Sequence, residues 1–372
     1  MRRVALAFGL VAVFGCLLSL PVVASAAPFA GNAPVVGSDG AALAIAANTK
    51  SVNGSLDAVV SGAKLKLTGT VSIYVPGQTV AVAAYLNGVL VTTQTVAINA
   101  DATSVAGATG SSGVSGTSGA SGTSGASGTS GVSGTSGVSG ATGGGSFTLS
   151  LSVKGSGQLT IQATHALTAA QELLVSDPIY VHLVSSYVHP GERGLAVRVL
   201  QAELTHGHFV IGARGVYDAR TQRAVLAFRK MADMARTMVA NDAVFKGLAA
   251  GRGKFIVRYP KQGRHVEGDL THQVLALIGA NGKVQRLYPM SSGKPSTPTQ
   301  PGNFHVWLRV PGVNNDDMVD SSFFNGGDAI HGYNPVPAYA ASHGCLRVPV
   351  PDALSIYDWI AGTGVPVDVY FR

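Results

Sequence analysis

Beyond its first 26 residues the sequence has no uninterrupted apolar stretch of about 20 residues, the length a membrane-spanning helix requires, so no transmembrane span is expected there. Cysteine is nearly missing: Cys16 and Cys345 are the only two in 372 residues. Cys16 lies inside the apolar part of the N-terminal segment, so removal of that segment leaves a single thiol. A lone cysteine is commonly a small buried hydrophobe. In an oxidising compartment, however, an unpaired thiol is a liability unless it is used, which makes Cys345 a candidate reactive group. The paired ligand motifs that mark zinc hydrolases are also lacking.

What is present begins with the three parts of a secretory leader in residues 1–26. Arg2 and Arg3 precede an apolar run over residues 4–23, and Ala24-Ser25-Ala26 supplies a small-residue cleavage site. The expected mature chain starts at Ala27 and is exported. Lipidation of Cys16 is the alternative, with Val13-Phe14-Gly15 before it; Phe14, and apolar sequence continuing past the cysteine, favour plain secretion. A length of 372 residues and 46% hydrophobic content are enough for two or three compact domains. Without the leader arginines, 24 basic residues face 19 acidic ones, and between Arg193 and Arg264 the ratio is 14 to 4. Outside a cell such a patch suits anionic wall polymers and peptide carboxylates rather than nucleic acid; a solvated basic surface is the plain alternative.

The chain reads as multidomain and mostly β. Over residues 45–185 strand follows strand. Lys64-Leu65-Lys66-Leu67 alternates, Thr79 to Leu86 alternates through Val80 and Val82, and Asn87-Gly88 is a hairpin turn into Val89 to Ala97. Further strands are expected at 147–151, 158–164 and 179–183. This pattern suggests an immunoglobulin-like β-sandwich, interrupted by a Gly/Ser/Thr-rich low-complexity insert at 104–145. Within the insert, glycine recurs at every third position from Gly107 to Gly143. That is the collagen period, but the proline that stiffens a triple helix is absent, so a flexible tether is the expectation and trimerisation the alternative. Otherwise the chain is expected to be a monomer.

Residues 186–236 read as a small helical domain. Val197, Leu200 and Leu204 make one helical stripe and Ala224, Val225 and Phe228 a second, with Asp218 placed to cap the second helix. The segment GLAVRVLQAELTHGHFVIGARGVYDARTQRAVLAFRK resembles the peptidoglycan-binding-domain family, whose repeat runs G-x-x-V-x-x-L-Q and then G-x-Y-D-x-x-T-x-x-A-V-x-x-F. The resemblance implies glycan binding; a helical spacer that binds nothing has the same pattern.

Residues 252–372 again read as strands. His272 to Ile278 leads through Asn281-Gly282 to a strand at 284–288. Phe304, Val306, Leu308 and Val310 alternate, as do Val365, Val367, Val369 and Phe371, and one helix is expected from Asp352 to Ala361, closed by Gly362. The chemistry-bearing residues are Ile330-His331-Gly332 and, ten residues later, Ser342-His343-Gly344-Cys345-Leu346-Arg347. A thiol attacks as its thiolate, and histidine is the side chain suited to take its proton near neutral pH. Both histidines qualify: His343 is two residues away, and His331 comes from a separate segment. The amides of Gly344 and Cys345 are candidate oxyanion donors, and Arg347 is a candidate carboxylate binder or an internal ion-pair partner. A set of His331, His343, Cys345 and Asp328 around zinc is the rival reading, and a non-catalytic wall-binding protein is another.

The stretch IHGYNPVPAYAASHGCLR closely resembles the L,D-transpeptidase signature, a His-Gly followed at short distance by Ser-His-Gly-Cys, an aliphatic residue and Arg or Asn. Ser291-Ser292-Gly293 and Thr297-Pro298-Thr299-Gln300-Pro301-Gly302-Asn303-Phe304 resemble that family's upstream segments. The resemblance implies Cys345 as nucleophile and His331 as proton donor and acceptor. It implies Gly332, Ser342, His343 and Gly344 as residues shaping the site, and Arg347 in the substrate pocket. It further implies peptidoglycan stem peptides as partners, no cofactor and no metal. The reaction implied is a thioester on Cys345 with loss of D-alanine, then resolution by an amine into a cross-link between third-position residues. Water as acceptor would make an L,D-carboxypeptidase, and a protein amine an anchoring enzyme. The segment between His331 and Ser342 is shorter than in many members, so a differently shaped lid over the acyl pocket is expected.

Overall fold

The computed structural model describes residues 31–51, 57–101 and 143–372. The leader, with Cys16, and the insert up to residue 142 lie outside the described residues; the end of the expected insert, Gly145, already belongs to a strand.

The N-terminal part is two β-sheets over one core. Leu43–Ala47, Leu65–Val71, Gly145–Leu151 and Asn99–Ala100 form one sheet. The other contains Asp57–Val60, Ile179–Val184, Gly157–His165, Thr79–Leu86 and Val89–Ala97 in that order. Strand alternation decides which side chains meet: Leu65, Leu67, Leu149 and Leu151 of the first sheet pack against Val80, Val82, Leu159 and Ile161 of the second. The Asn87-Gly88 turn forms as read, with both residues at positive φ, the geometry that matches the twist of the strands it joins.

Three helices follow: α1 (Leu195–His206), α2 (Ala219–Met231) and α3 (Asp242–Ala249). Asp218 caps α2 by accepting from the Thr221 amide. The buried Gln201 side chain explains the glutamine after the leucine in the α1 pattern. Its amide nitrogen donates to the carbonyls of Ala213 and Val216 and to the Thr221 hydroxyl, and its oxygen accepts from the Gly215 amide. The loop between the helices is thereby held by this side chain, together with its own buried Phe209 and Tyr217 in the core. The helix α3 was not anticipated; its stripe is only Val244, Phe245 and Leu248 over two turns, too short to stand out from its surroundings.

These helices share one core with the C-terminal part: Leu200, Leu204, Val225 and Phe228 pack with Val274, Ala276, Ile278 and Leu287. Polar contacts tie the two further. Arg220 and Arg223 pair with Asp352 at 2.8 and 3.1 Å. Lys230, 2% exposed, donates from Nζ to the carbonyls of Gln273 and Met290 at 3.0 and 2.9 Å. Burial pushes the Lys230 ammonium down to about 7. An unfolded lysine holds its proton up to about 10.4. The stability this group contributes is therefore full above that value, falls as pH drops towards 7, and stays lost below. Melting should accordingly rise between pH 7 and 9.5, by up to roughly 1.4 kcal/mol of stability per pH unit. Lys230→Met should flatten that rise while lowering stability overall, because two buried carbonyls lose their donor, at about 1–3 kcal/mol each. A thermal melt series of both proteins over that range checks the slope.

The C-terminal part has two sheets around a second core. One runs Val284–Pro289, Val274–Ile278, His265–Asp269, Pro366–Tyr370, Gly302–His305; the other runs Leu308–Val313, Val319–Asn325, Asp328–Tyr333, Leu346–Pro349. The alternating stretch from Phe304 to Val310 is therefore two strands in two sheets and not one. The Val306 amide bonds the Val365 carbonyl just before the Pro366–Tyr370 strand of the first sheet, and the next amide, of Trp307, bonds the Phe323 carbonyl in the second. Val306 is buried at that corner, whereas Leu308 is 39% exposed, so the apolar alternation does not continue as a core stripe.

The helix α4 spans Val350–Ile360 and packs its Ala353, Ile356 and Ile360 on this core. It begins two residues earlier than read, because Pro351 in the first turn needs no amide partner. It ends on Ala361 in the left-handed conformation, φ 62°, one residue before the expected Gly362.

Candidate active site

His331 sits in the Asp328–Tyr333 strand, which runs parallel to Leu346–Pro349 with Ile330 opposite Leu346 and His331 opposite Arg347. Ile330, Leu346 and Val348 point into the core. By strand alternation His331 and Arg347 share the other face, and Cys345, in the bend just before Leu346, opens on the same end of the ladder. The two motif segments, ten residues apart in sequence, become neighbours through this pairing.

The Cys345 side chain is partly exposed. Among the described residues its hydrogen-bond partners are backbone groups: the Ala329 amide donates to Sγ at 3.5 Å, and Sγ lies 3.8 Å from the Gly327 carbonyl. Neither imidazole is among them. Burial pushes the thiol up, the Ala329 amide pulls it down, and Asp328 nearby pushes it up again.

His331 is 2% exposed, and burial pushes its imidazole down to about 4. Its Nδ1 lies 2.9 Å from the Gly332 carbonyl. A carbonyl can only accept, so Nδ1 carries the proton and Nε2 keeps its lone pair. The resting pair is thus a neutral thiol and a neutral imidazole with a defined tautomer. His343 is placed differently: it is exposed, with Nε2 3.0 Å from the Lys294 ammonium.

The loop carrying Cys345 is held from within and from below. Ser342 Oγ donates to the Cys345 carbonyl at 2.6 Å and accepts from the Gly344 amide at 3.2 Å. Of the two amides considered as oxyanion donors, that of Gly344 is therefore engaged. Thr299 Oγ1 donates to the Gly344 carbonyl at 2.5 Å and accepts from the Gly293 amide at 2.8 Å. The Ser342 amide bonds the Ser292 carbonyl, and Gln273 holds Ser292 through both its backbone amide and its hydroxyl. The upstream segments are thus the floor of the cysteine loop. Glycine is required where they meet it: a Cβ on Gly293 would lie 2.3 Å from the Thr297 carbonyl oxygen. A Cβ on Gly344, at φ 136°, would lie 2.0 Å from an Asp328 carboxylate oxygen.

Arg347 stacks its guanidinium over the Tyr333 ring at 4.1 Å, and its buried Nε has no partner among the described residues. It makes no ion pair with an Asp there, so the internal pairing considered for it is not formed. Gly332 lies against α4, where a Cβ would come 2.7 Å from that of Ala353. The structure brings together Cys345, His331, Ser342, Gly344 and Arg347 and leaves His343 at the rim. Asp328, Thr299 and Gln273 were not read as parts of a cysteine site. For Thr299 the signal was its place in the T-P-x-x-x-G segment; Asp328 was noticed only as a metal ligand. Among the described residues no three His, Cys, Asp or Glu side chains are grouped so as to hold a metal ion.

Residues 263–369 match the family model of the YkuD L,D-transpeptidase catalytic domain. Among solved structures, the L,D-transpeptidase of Xylanimonas cellulosilytica is 30% identical over 50% of this chain and 98% of that one, with a TM-score of 0.47. An L,D-transpeptidase of Mycobacterium smegmatis is 23% identical over 29% of this chain and 58% of its own, TM-score 0.26, so only about three fifths of that protein is spanned. One from Stackebrandtia nassauensis is 21% identical over 50% of this chain and 95% of its own, TM-score 0.32. No curated protein matches the chain.

Proposed function

From the premise that residues 263–369 are an L,D-transpeptidase catalytic domain, we propose that Cys345 is the nucleophile of a peptidoglycan acyl transfer and His331 its proton carrier. The observation that carries this reading is the neutral, tautomer-fixed His331 on the strand paired with the cysteine segment. Cys345 attacks the carbonyl joining the third stem residue to the terminal D-alanine. His331 Nε2 takes the thiol proton during attack and gives it to the departing amine, leaving a thioester. The Cys345 amide, free of the Ser342 contact that occupies Gly344, is the donor suited to the developing oxyanion. An amine of a second stem then resolves the thioester and forms a cross-link between third-position residues. Arg347, with its unpartnered guanidinium nitrogen, is suited to a stem carboxylate. No step uses a metal or cofactor.

In the same reading the enzyme works outside the cytoplasm after leader removal, the N-terminal sandwich is immunoglobulin-like, and the α1–α2 pair is a peptidoglycan-binding module. The Gln201 network, which ties together the residues of that motif, supports the last point.

The test is mass spectrometry of the purified protein with a tetrapeptide stem or a carbapenem. A covalent adduct on Cys345 with release of D-alanine from the stem is expected. Activity should survive a strong chelator and disappear with a thiol alkylator; the reverse pattern would establish the zinc reading instead.

A further inference from the structure

The Asn325-Gly326-Gly327-Asp328 turn closes the strand pair Val319–Asn325 and Asp328–Tyr333, with Asn325 opposite Asp328. This turn is the wall of the thiol site: the backbone on either side of Asp328, the Gly327 carbonyl and the Ala329 amide, is what contacts Sγ. The Asp328 carboxylate lies directly over Gly344, the residue before the cysteine. It is partly buried, hydrogen-bonded by the Asn325 side chain, and in no ion pair among the described residues. In a chain of net charge +7, a half-buried carboxylate without a cation is unusual, and here it costs the nucleophile, because its charge disfavours the thiolate.

The charges around the site are ordered along the strand ladder. Arg347 stands level with His331, Cys345 two residues earlier, and Asp328 beyond it at the turn. The remaining groups near the thiol are Tyr333 under Arg347 and the exposed Lys294–His343 pair at the rim. Arg347 is thus the cationic end of the site, and among the described residues Asp328 is the carboxylate at its other end.

We propose that Asp328 selects the acyl acceptor, its carboxylate receiving the ammonium group of a primary amine and holding it beside the Cys345 thioester; this rests on the acyl-transfer reading above. The bound ammonium loses one proton to water, and its nitrogen lone pair attacks the thioester carbonyl. The C–N bond forms and the C–S bond breaks, its electron pair passing to Sγ. The second nitrogen proton travels through His331 to the thiolate, restoring the thiol. Water has no charge for Asp328 to hold, so the site favours transfer over hydrolysis.

The experiment uses the full mature chain, a tetrapeptide donor and two competing acceptors: a stem tripeptide with a free side-chain amine, charged at neutral pH, and hydroxylamine, which is uncharged there. In Asp328→Asn the ratio of amine to hydroxylamine product should fall about fivefold, as a higher KM for the amine. Asp328→Glu should recover most of the ratio. In the wild type, raising sodium chloride should raise the amine's KM and leave hydroxylamine capture steady. An unchanged ratio in Asp328→Asn, a rise confined to the donor's KM, or a wild-type amine KM indifferent to salt overturns the proposal, the last even if the variant does not fold. A wild type that forms no acyl-enzyme at all instead overturns the acyl-transfer reading.

Discussion

Cys345→Ala should lose release of D-alanine from a tetrapeptide stem by at least about 10⁴-fold, and should form no covalent adduct with stem or carbapenem. The magnitude follows from what the side chain does in the proposed reaction: without sulfur there is no thioester, and no neighbouring group can replace it. Ser342 is the nearest hydroxyl in the loop, but it is committed to the Cys345 carbonyl and the Gly344 amide. Serine at position 345 should recover little, since its hydroxyl would need far more help from His331 than a thiol does. The fold should tolerate the alanine. The thiol's contacts are a long bond from the Ala329 amide and a 3.8 Å approach to the Gly327 carbonyl, so their loss should cost no more than about 1 kcal/mol. Stem-peptide assays paired with a thermal melt separate the two effects. A variant that melts normally and still releases D-alanine would remove Cys345 from the mechanism, and a wall-binding protein would then be the better description.

His331→Gln should reduce acylation by about 10² to 10⁴-fold, the usual worth of a positioned general base. Glutamine matches much of the imidazole's reach but has no group that can accept and return a proton. The pH profile carries more information than the loss itself. Burial holds the wild-type imidazole down at about 4 and pushes the thiol up, so both are neutral at rest. His331 is therefore a competent base well below the ordinary histidine range. Acylation in the wild type should persist through pH 6.5 without an inflection and decline only towards pH 4. Stability should follow the same group. A histidine depressed in the folded state contributes stability that is present above its unfolded value and lost as pH falls through its folded one. The wild type should therefore lose roughly 3 kcal/mol between pH 6.5 and 4 from this side chain, and the glutamine variant should not. An acylation rate and pH profile unchanged in the glutamine variant would remove His331 as the base.

Much of the fold was legible along the chain because strands and helices announce themselves by period. The Asn87-Gly88 hairpin, the strands on either side of the insert and the capped α2 all rest on local chemistry. The errors arose where local pattern is silent about partners. Nothing in the alternation from Phe304 to Val310 says that the chain turns from one sheet into another at Val306, since that depends on which strands offer free backbone groups on each side. Likewise Ala361 takes the left-handed position ahead of Gly362 because helix α4 docks with a fixed length on the core. Lys230 read as one more charge in a basic stretch. Only packing of α2 on the C-terminal sheet turns it into a buried donor to two carbonyls.

For the site, the sequence by itself determined the candidates: a cysteine unmatched by any partner outside the leader, two histidines within reach, and an arginine two residues on. Those are matters of composition and spacing, and covalent structure carries them. Residue type and spacing alone left the two histidines equivalent, because neither reveals protonation; only the resemblance to the L,D-transpeptidase signature pointed to His331. The tertiary structure separated them by burial and hydrogen bonding. His331 is enclosed, with Nδ1 committed to a backbone carbonyl, while His343 stands in solvent beside a lysine. It also set Asp328 over the cysteine loop, a placement that depends on a hairpin turn meeting a segment 16 residues further on. Desolvation and electric field are properties of the surroundings, and the surroundings exist only once the chain has folded.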